Sequence, residues 1–268
     1  MKNILKTTAL LLLVFTCLTG AQAQRRKVIY LHNFNDAPYH WGFMLGVNNM
    51  AYSLRMNDDF QNELHTNYSH VKDVQGCPSE NDFQSYQIIN VEKRIKGVGF
   101  SVGATGDVRL GNYFNLRGMV AYCLGEDMDY LYTLQFNQKL DTIQVKVLSQ
   151  NKNNNCIELP LHLKYRSIRY NNIDAYLIGG FSPKLYFSFK DLFKKENNSV
   201  NWIKTKVFDV AMEVGAGFDI YNQWFKLGIE LKYSVGMLNL MSEEQVKFYG
   251  DPFKSLRNRQ VMLSFTIE

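Results

Sequence analysis

The sequence predicts an all-β fold: an eight-stranded antiparallel transmembrane outer-membrane β-barrel with short periplasmic turns and long external loops. Three observations carry that expectation. Residues 208–237 alternate large apolar with small or charged side chains at a strict period of two, a strand signal rather than a helix signal. The connections between such stretches alternate long and short along the chain, as they do in outer-membrane barrels. Beyond an N-terminal leader, no stretch reaches the roughly 18 apolar residues that a spanning helix needs.

Taken in order, residues 1–23 read as a secretory signal peptide. Lys2 and Lys6 precede an apolar run at residues 9–14, and Ala21-Gln22-Ala23 offers an A-x-A cleavage site before Gln24. The leader carries two lysines and no acids, so its removal lowers the formal charge from +5 to +3. So small an excess gives no basis for a nucleic-acid partner. Cys77, Cys123 and Cys156 remain. They leave room for one disulfide, and without a C-x-x-C or paired-histidine motif they do not read as zinc ligands.

Residues 24–39 are polar and mixed, a periplasmic lead-in, and residues 40–268 form the barrel domain. The first strand, near residues 40–56, puts Trp41, Phe43, Leu45 and Val47 on one face. Residues 57–93 are long and polar, with Gly76 and Pro78, and read as a loop. The second strand, residues 95–110, sets Phe100, Val102 and Val108 against Ser101, Thr105 and Asp107. Gly111-Asn112-Tyr113 turns the chain into a third strand, in a register that places Asp107 opposite Arg117. Residues 125–155 hold two segments, 130–136 and 143–148, that would extend strands beyond the membrane.

The fourth strand alternates Ile157, Leu159, Leu161, Leu163 and Tyr165 against Glu158, His162 and Lys164. A short connection at 166–172 leads to a fifth strand near 174–189, then to a polar loop up to residue 206. The 208–237 hairpin supplies the sixth and seventh strands. A two-residue turn at Asn222-Gln223 would set Asp219 opposite Lys226 and Glu213 opposite Lys232, pairing opposite charges across a polar lumen. A mixed segment at 238–258, with a brief helix at 242–248, precedes a final strand of Val261, Leu263, Phe265 and Ile267. A soluble barrel would bury its apolar face inside, where eight strands leave little room, and gives no reason for the alternating loop lengths.

The strand blocks resemble the PorT/SprT outer-membrane proteins of the Bacteroidetes type IX secretion and gliding apparatus. The blocks are WGFMLGVNNM from Trp41, GFSVGATGDVRLGNYFNLR from Gly99, ELPLHLKYRSIRYNN from Glu158, EVGAGFDIYNQWFKLGIELKYSVGM from Glu213, and the terminal LSFTIE. The resemblance implies a barrel required for protein export, a scaffold or assembly factor with no enzymatic site. Its implied partners are outer-membrane lipid and other secretion-apparatus proteins, reached through loops or the lead-in. The alternative is a general adhesion or membrane-integrity barrel of the OmpX or OmpA kind. Glu268 departs from the aromatic end common among such barrels.

No residue pattern implies a catalytic, cofactor or metal site. His162 lies near Glu158 on one strand, but catalysis needs a nucleophile within reach, and no serine is placed there. The candidate site is therefore structural: the lumen charges Asp107, Arg117, Glu213, Lys232, Asp219 and Lys226. In so narrow a barrel they should plug the interior by mutual pairing rather than line a channel. Asp141-Thr142-Ile143 resembles a short O-glycosylation motif.

Overall fold

Alternation at a period of two becomes a closed ring of antiparallel strands in the computed structural model. It describes residues 28–57, 62–68, 71, 76–95, 97–125, 128–138, 142–151, 155–187, 206–241 and 253–268. The ring strands are β1 (Tyr39–Met56), β3 (Gly99–Arg109), β4 (Phe114–Leu124), β7 (Cys156–Glu158), β8 (Leu161–Arg166), β9 (Ile173–Tyr186), β10 (Phe208–Tyr221), β11 (Lys226–Gly236) and β12 (Phe253–Ile267). They pair in the order β10-β11-β12-β1-β3-β4, then β7 and β8, then β9, which returns to β10. The first and last strands are neighbours, with Phe43 opposite Ile267.

β7 and β8 occupy one position in the ring. Pro160 between them has no N–H to give the ladder, yet the register does not slip. Cys156 faces Cys123 and Leu161 faces Gly118 on the same β4 ladder. Proline's carbonyl still works: the Met119 N–H donates to it at 3.0 Å, and the Leu159 N–H donates to the Pro183 carbonyl at 3.0 Å. The ring thus has eight strand positions.

The outer face carries the large apolar side chains. Trp41, Phe43 and Leu45 are 70%, 64% and 60% exposed, and Phe100, Leu177, Phe218 and Leu231 match them. The inner face is buried, and where the sequence was ambiguous the ring decides it: Tyr176 and Ile178 point in while Leu177 points out. Part of the interior is apolar rather than polar, a cluster of Met44, Met50, Met119, Met262, Ala121 and Tyr186 with Cys123 and Cys156.

Four expectations need correction. Residues 57–93 are not all loop, because β2 (Phe83–Ile95) lies at their end. Its register shifts between Ile88 and Asn90 break the two-residue alternation, so that buried Ile88 and Val91 stand three apart. The segments expected to prolong ring strands instead form β5 (Met128–Gln138) and β6 (Thr142–Asn151), which join β2 in a separate sheet of order β2-β5-β6. That sheet packs Tyr86, Ile88, Tyr132, Leu134 and Phe136 around Phe253 and Leu54, at the long-loop end of β12 and β1. β12 starts at Phe253, earlier than expected, and the brief helix expected at 242–248 lies outside the described residues.

The fourth correction concerns the β10–β11 register. Tyr221 pairs with Lys226, so the loop is residues 222–225, closed by the Asn222 N–H donating to the Phe225 carbonyl at 2.9 Å. Asp219 therefore stands opposite Gly228, and Glu213 opposite Ser234, not opposite Lys226 and Lys232. Alternation fixes which face a residue takes, but a shift of two residues preserves every face. The charges stay inside and meet diagonally.

Candidate functional site

Inside the ring, strand register and an inward-pointing alternation bring six carboxylates against five cations and one imidazole. Arg117 is the hub. Its Nε and Nη2 bind Asp107, directly opposite on β3, at 2.7 and 2.9 Å, the bidentate fork that suits a guanidinium. Its Nη1 reaches Glu230 at 3.1 Å, and Nη2 also reaches the terminal Glu268 side chain at 3.2 Å. Lys226 holds the other Glu268 oxygen at 2.5 Å and Asp219 at 3.6 Å. Lys164 binds Asp219 at 2.6 Å and lies 3.8 Å from the centre of the Tyr176 ring.

A second group surrounds Glu213. His162 Nε2 lies 2.8 Å from it, Lys232 3.0 Å and Lys184 3.4 Å. Glu158, expected beside His162, turns instead to Lys184 at 2.7 Å. The expected lumen residues Asp107, Arg117, Glu213, Lys232, Asp219 and Lys226 are all buried, between 0% and 3% exposed. Sequence reading had named Asp107, Arg117, Glu213, Lys232, Asp219 and Lys226 as three pairs. The structure joins them through Lys164, Lys184, Glu230 and Glu268; alternation shows the inward phase of Lys164, Glu230 and Glu268 but is ambiguous on the strand of Lys184, and all the partners depend on strands far apart in sequence.

Space for these side chains comes partly from glycine. A β-carbon on Gly217 would lie 2.5 Å from the Tyr176 ring and 2.6 Å from the Ile229 carbonyl oxygen. Tyr176 can therefore lie flat beneath Lys164 and near Arg117, whose guanidinium carbon is 5.6 Å from its ring centre.

The lead-in caps the short-turn end. Asn171 adopts the left-handed φ of 57° that a tight turn asks of asparagine, and the Asn172 side chain next to it accepts the Tyr30 N–H at 3.0 Å and donates to the Val28 carbonyl at 2.8 Å. Arg169 donates to the Tyr30 and Leu31 carbonyls and stacks 3.7 Å over Tyr221. Asn35 accepts from Arg166 at 2.6 Å and from the Tyr221 hydroxyl at 2.9 Å. Phe34, in a 3-10 turn at Phe34–Asp36, stacks on His40 at 4.2 Å and lies 4.9 Å from the Lys226 ammonium. Beside this cap, a cleft of about 410 Å³ opens between Phe34, Tyr39, Phe43 and Glu268.

Arg169→Ala should free the lead-in. It removes three carbonyl contacts and a ring stack at once. When local opening governs cleavage, proteolysis follows the open population, so limited chymotrypsin digestion after Tyr30 or Phe34 should speed up by about tenfold or more. Unchanged protection would mean that the other contacts of the lead-in, among them those of Asn35, Asn172 and Phe34, hold the cap without Arg169.

Chemically, the site is an interior of buried charges that neutralise one another. Asp141, of the Asp141-Thr142-Ile143 motif, lies outside the described residues. The family model for the outer membrane protein beta-barrel domain matches residues 21–242. No curated protein matches the chain.

Proposed function

Since the chain belongs to the outer membrane protein beta-barrel domain family, we propose that it is an eight-stranded transmembrane barrel of the bacterial outer membrane, a non-catalytic scaffold or assembly factor for type IX protein secretion. The observation that carries the non-catalytic part is the interior. Arg117, Lys164, Lys184 and Lys232 are each at most 1% exposed and all neutralised by carboxylates, which leaves a plug and not a passage. The outward apolar side chains suit contact with lipid hydrocarbon.

With the interior committed to folding, partner contact falls to the two ends. One end is the β2-β5-β6 sheet, an ordered platform beyond the ring, and the other is the capped short-turn end. The order and spacing of the strand blocks, which resemble the PorT/SprT proteins, support the link to secretion. Residues 1–23 act as the cleaved leader, so the mature chain should begin at Gln24.

The test is a deletion strain assayed for secreted cargo, complemented by wild type or by a variant shortened within residues 57–93. A shortening that takes in residues 83–93 removes part of β2 and hence part of the outer sheet, while the ring pairings remain. The expected result is loss of secreted cargo in the deletion strain. The shortened variant should keep the heat-modifiable gel migration of a folded barrel and still fail to restore secretion. Normal secretion in the deletion strain would sink this reading and leave an adhesion or membrane-integrity role.

A further inference from the structure

Cys123 and Cys156, 33 residues apart in sequence, stand directly opposite each other across the β4–β7 pair. Both are fully buried, and their sulfurs lie within 4.8 Å of one another and of a Glu158 carboxylate oxygen. We propose that the exported protein carries a cross-strand disulfide between Cys123 and Cys156, formed before the ring closes over them. The proposal needs only export into an oxidising compartment and does not depend on any role in secretion.

The opposition of the two cysteines is a property of the ladder. The same β4 register continues through Ala121–Glu158 and Gly118–Leu161, so neither cysteine can slide past the other without breaking the whole pairing. The Met119 N–H bonds the Pro160 carbonyl and the Arg166 N–H bonds the Tyr113 carbonyl, which places the cysteine pair, by alternation, at a hydrogen-bonded position. At such positions the α-carbons are about 5.5 Å apart, close to the commonest span of disulfides. The third described cysteine, Cys77, packs against the other sheet, in the cluster with Tyr86 and Phe136. It is no rival.

The surroundings tolerate oxidation. The Ser101 hydroxyl donates to Cys123 Sγ at 3.1 Å, a bond that a disulfide sulfur still accepts. The Cys156 thiol donates to Glu158 Oε1 at 3.8 Å, and that oxygen keeps Lys184 at 2.7 Å when the thiol proton is gone. The same lysine pairs with one oxygen of that carboxylate, and its positive charge beside the thiols disfavours a metal ion there. The bond would tie together the two feet of the segment carrying β5 and β6, fixing the base of that hairpin on the ring.

The chemistry is thiol–disulfide exchange with a disulfide-bearing oxidoreductase. One cysteine, as thiolate, attacks the oxidant's disulfide and releases one thiol. The second cysteine then displaces the remaining sulfur from the mixed disulfide. Two protein thiols become one S–S bond, and the oxidant's disulfide becomes two thiols.

The full-length protein, isolated from outer membranes, is unfolded in denaturant with N-ethylmaleimide and no reductant, then digested with trypsin and weighed. Alkylated Cys77 is expected, together with one joined species of the Cys123 and Cys156 peptides, lighter than their sum by two hydrogens and split by reduction. Alkylation of Cys123 and Cys156 without reductant would overturn the proposal, as would a bridge from either to Cys77. So would protection of both thiols that a chelator alone removes, which would mark a bound metal.

Discussion

Arg117→Met should leave the ring far less stable, by about 3–5 kcal/mol, the usual cost of breaking a buried ion pair by removing one partner. The reason is what the change strands. Arg117 is 1% exposed and holds three carboxylates, Asp107, Glu230 and Glu268. Among the described residues, Asp107 would keep an ion pair with Lys164 at 3.9 Å, and Glu268 would keep Lys226 at 2.5 Å. Glu230 would lose the cation that it contacts among the described residues. Methionine fills much of the volume, so the loss reports on charge more than on a cavity. Arg117→Lys should fall between, because it restores a charge but not the fork that grips both Asp107 oxygens. Urea unfolding of the refolded protein in lipid vesicles measures the series. A midpoint for Arg117→Met equal to wild type would show that the three acids find other compensation.

Much of this architecture was legible because lipid outside and charge inside impose opposite demands on alternate residues. β10 and β11 show both faces without interruption, and the Asp107–Arg117 pairing follows from a turn too short to allow another register. The β10–β11 partners were misread for the reason that makes faces easy: a period of two is blind to a shift of two. Asp219 and Lys226 still approach to 3.6 Å, and Glu213 and Lys232 to 3.0 Å, because diagonal neighbours on one face lie within reach of long side chains.

The second sheet was harder to see. β2 faces the ring's own extension through Tyr86 and Ile88, and its bulge erases the alternation that would have announced a strand. Contacts such as Arg117–Glu230 or Lys164–Asp219 join strands distant in sequence, so no local pattern encodes them. The lead-in is polar and mixed in sequence, with no pattern that marks a docking site. Its apolar anchor, Phe34, stands alone between polar residues, and only the position of Asn172, Arg169 and Arg166 at the ring's mouth shows where it docks. The opposition of Cys123 and Cys156 needed the fourth strand's register across a proline, which composition and spacing do not give.

Lys232→Glu should disable folding where Lys254→Glu leaves it intact, although both make the same change of charge. Lys232 is 1% exposed, and its ammonium lies 3.0 Å from Glu213. The substitution replaces that attraction with two carboxylates in contact, and Lys184 and the His162 imidazole are left near Glu213. The expected cost is at least the roughly 3–5 kcal/mol of a broken buried pair. Lys254 was expected in a loop and instead lies in β12, but its side chain is exposed. A surface charge change of that kind usually stays within about 0.5 kcal/mol. Combining Lys232→Glu with Glu213→Lys restores an opposite pair but sets the new lysine against His162 and Lys184, so only part of the stability should return. Heat-modifiable gel migration, read across a temperature series, separates these cases. Equal transition temperatures for Lys232→Glu and Lys254→Glu would mean that Lys232 reaches water in the membrane-embedded protein, and the filled-lumen reading would fall with it.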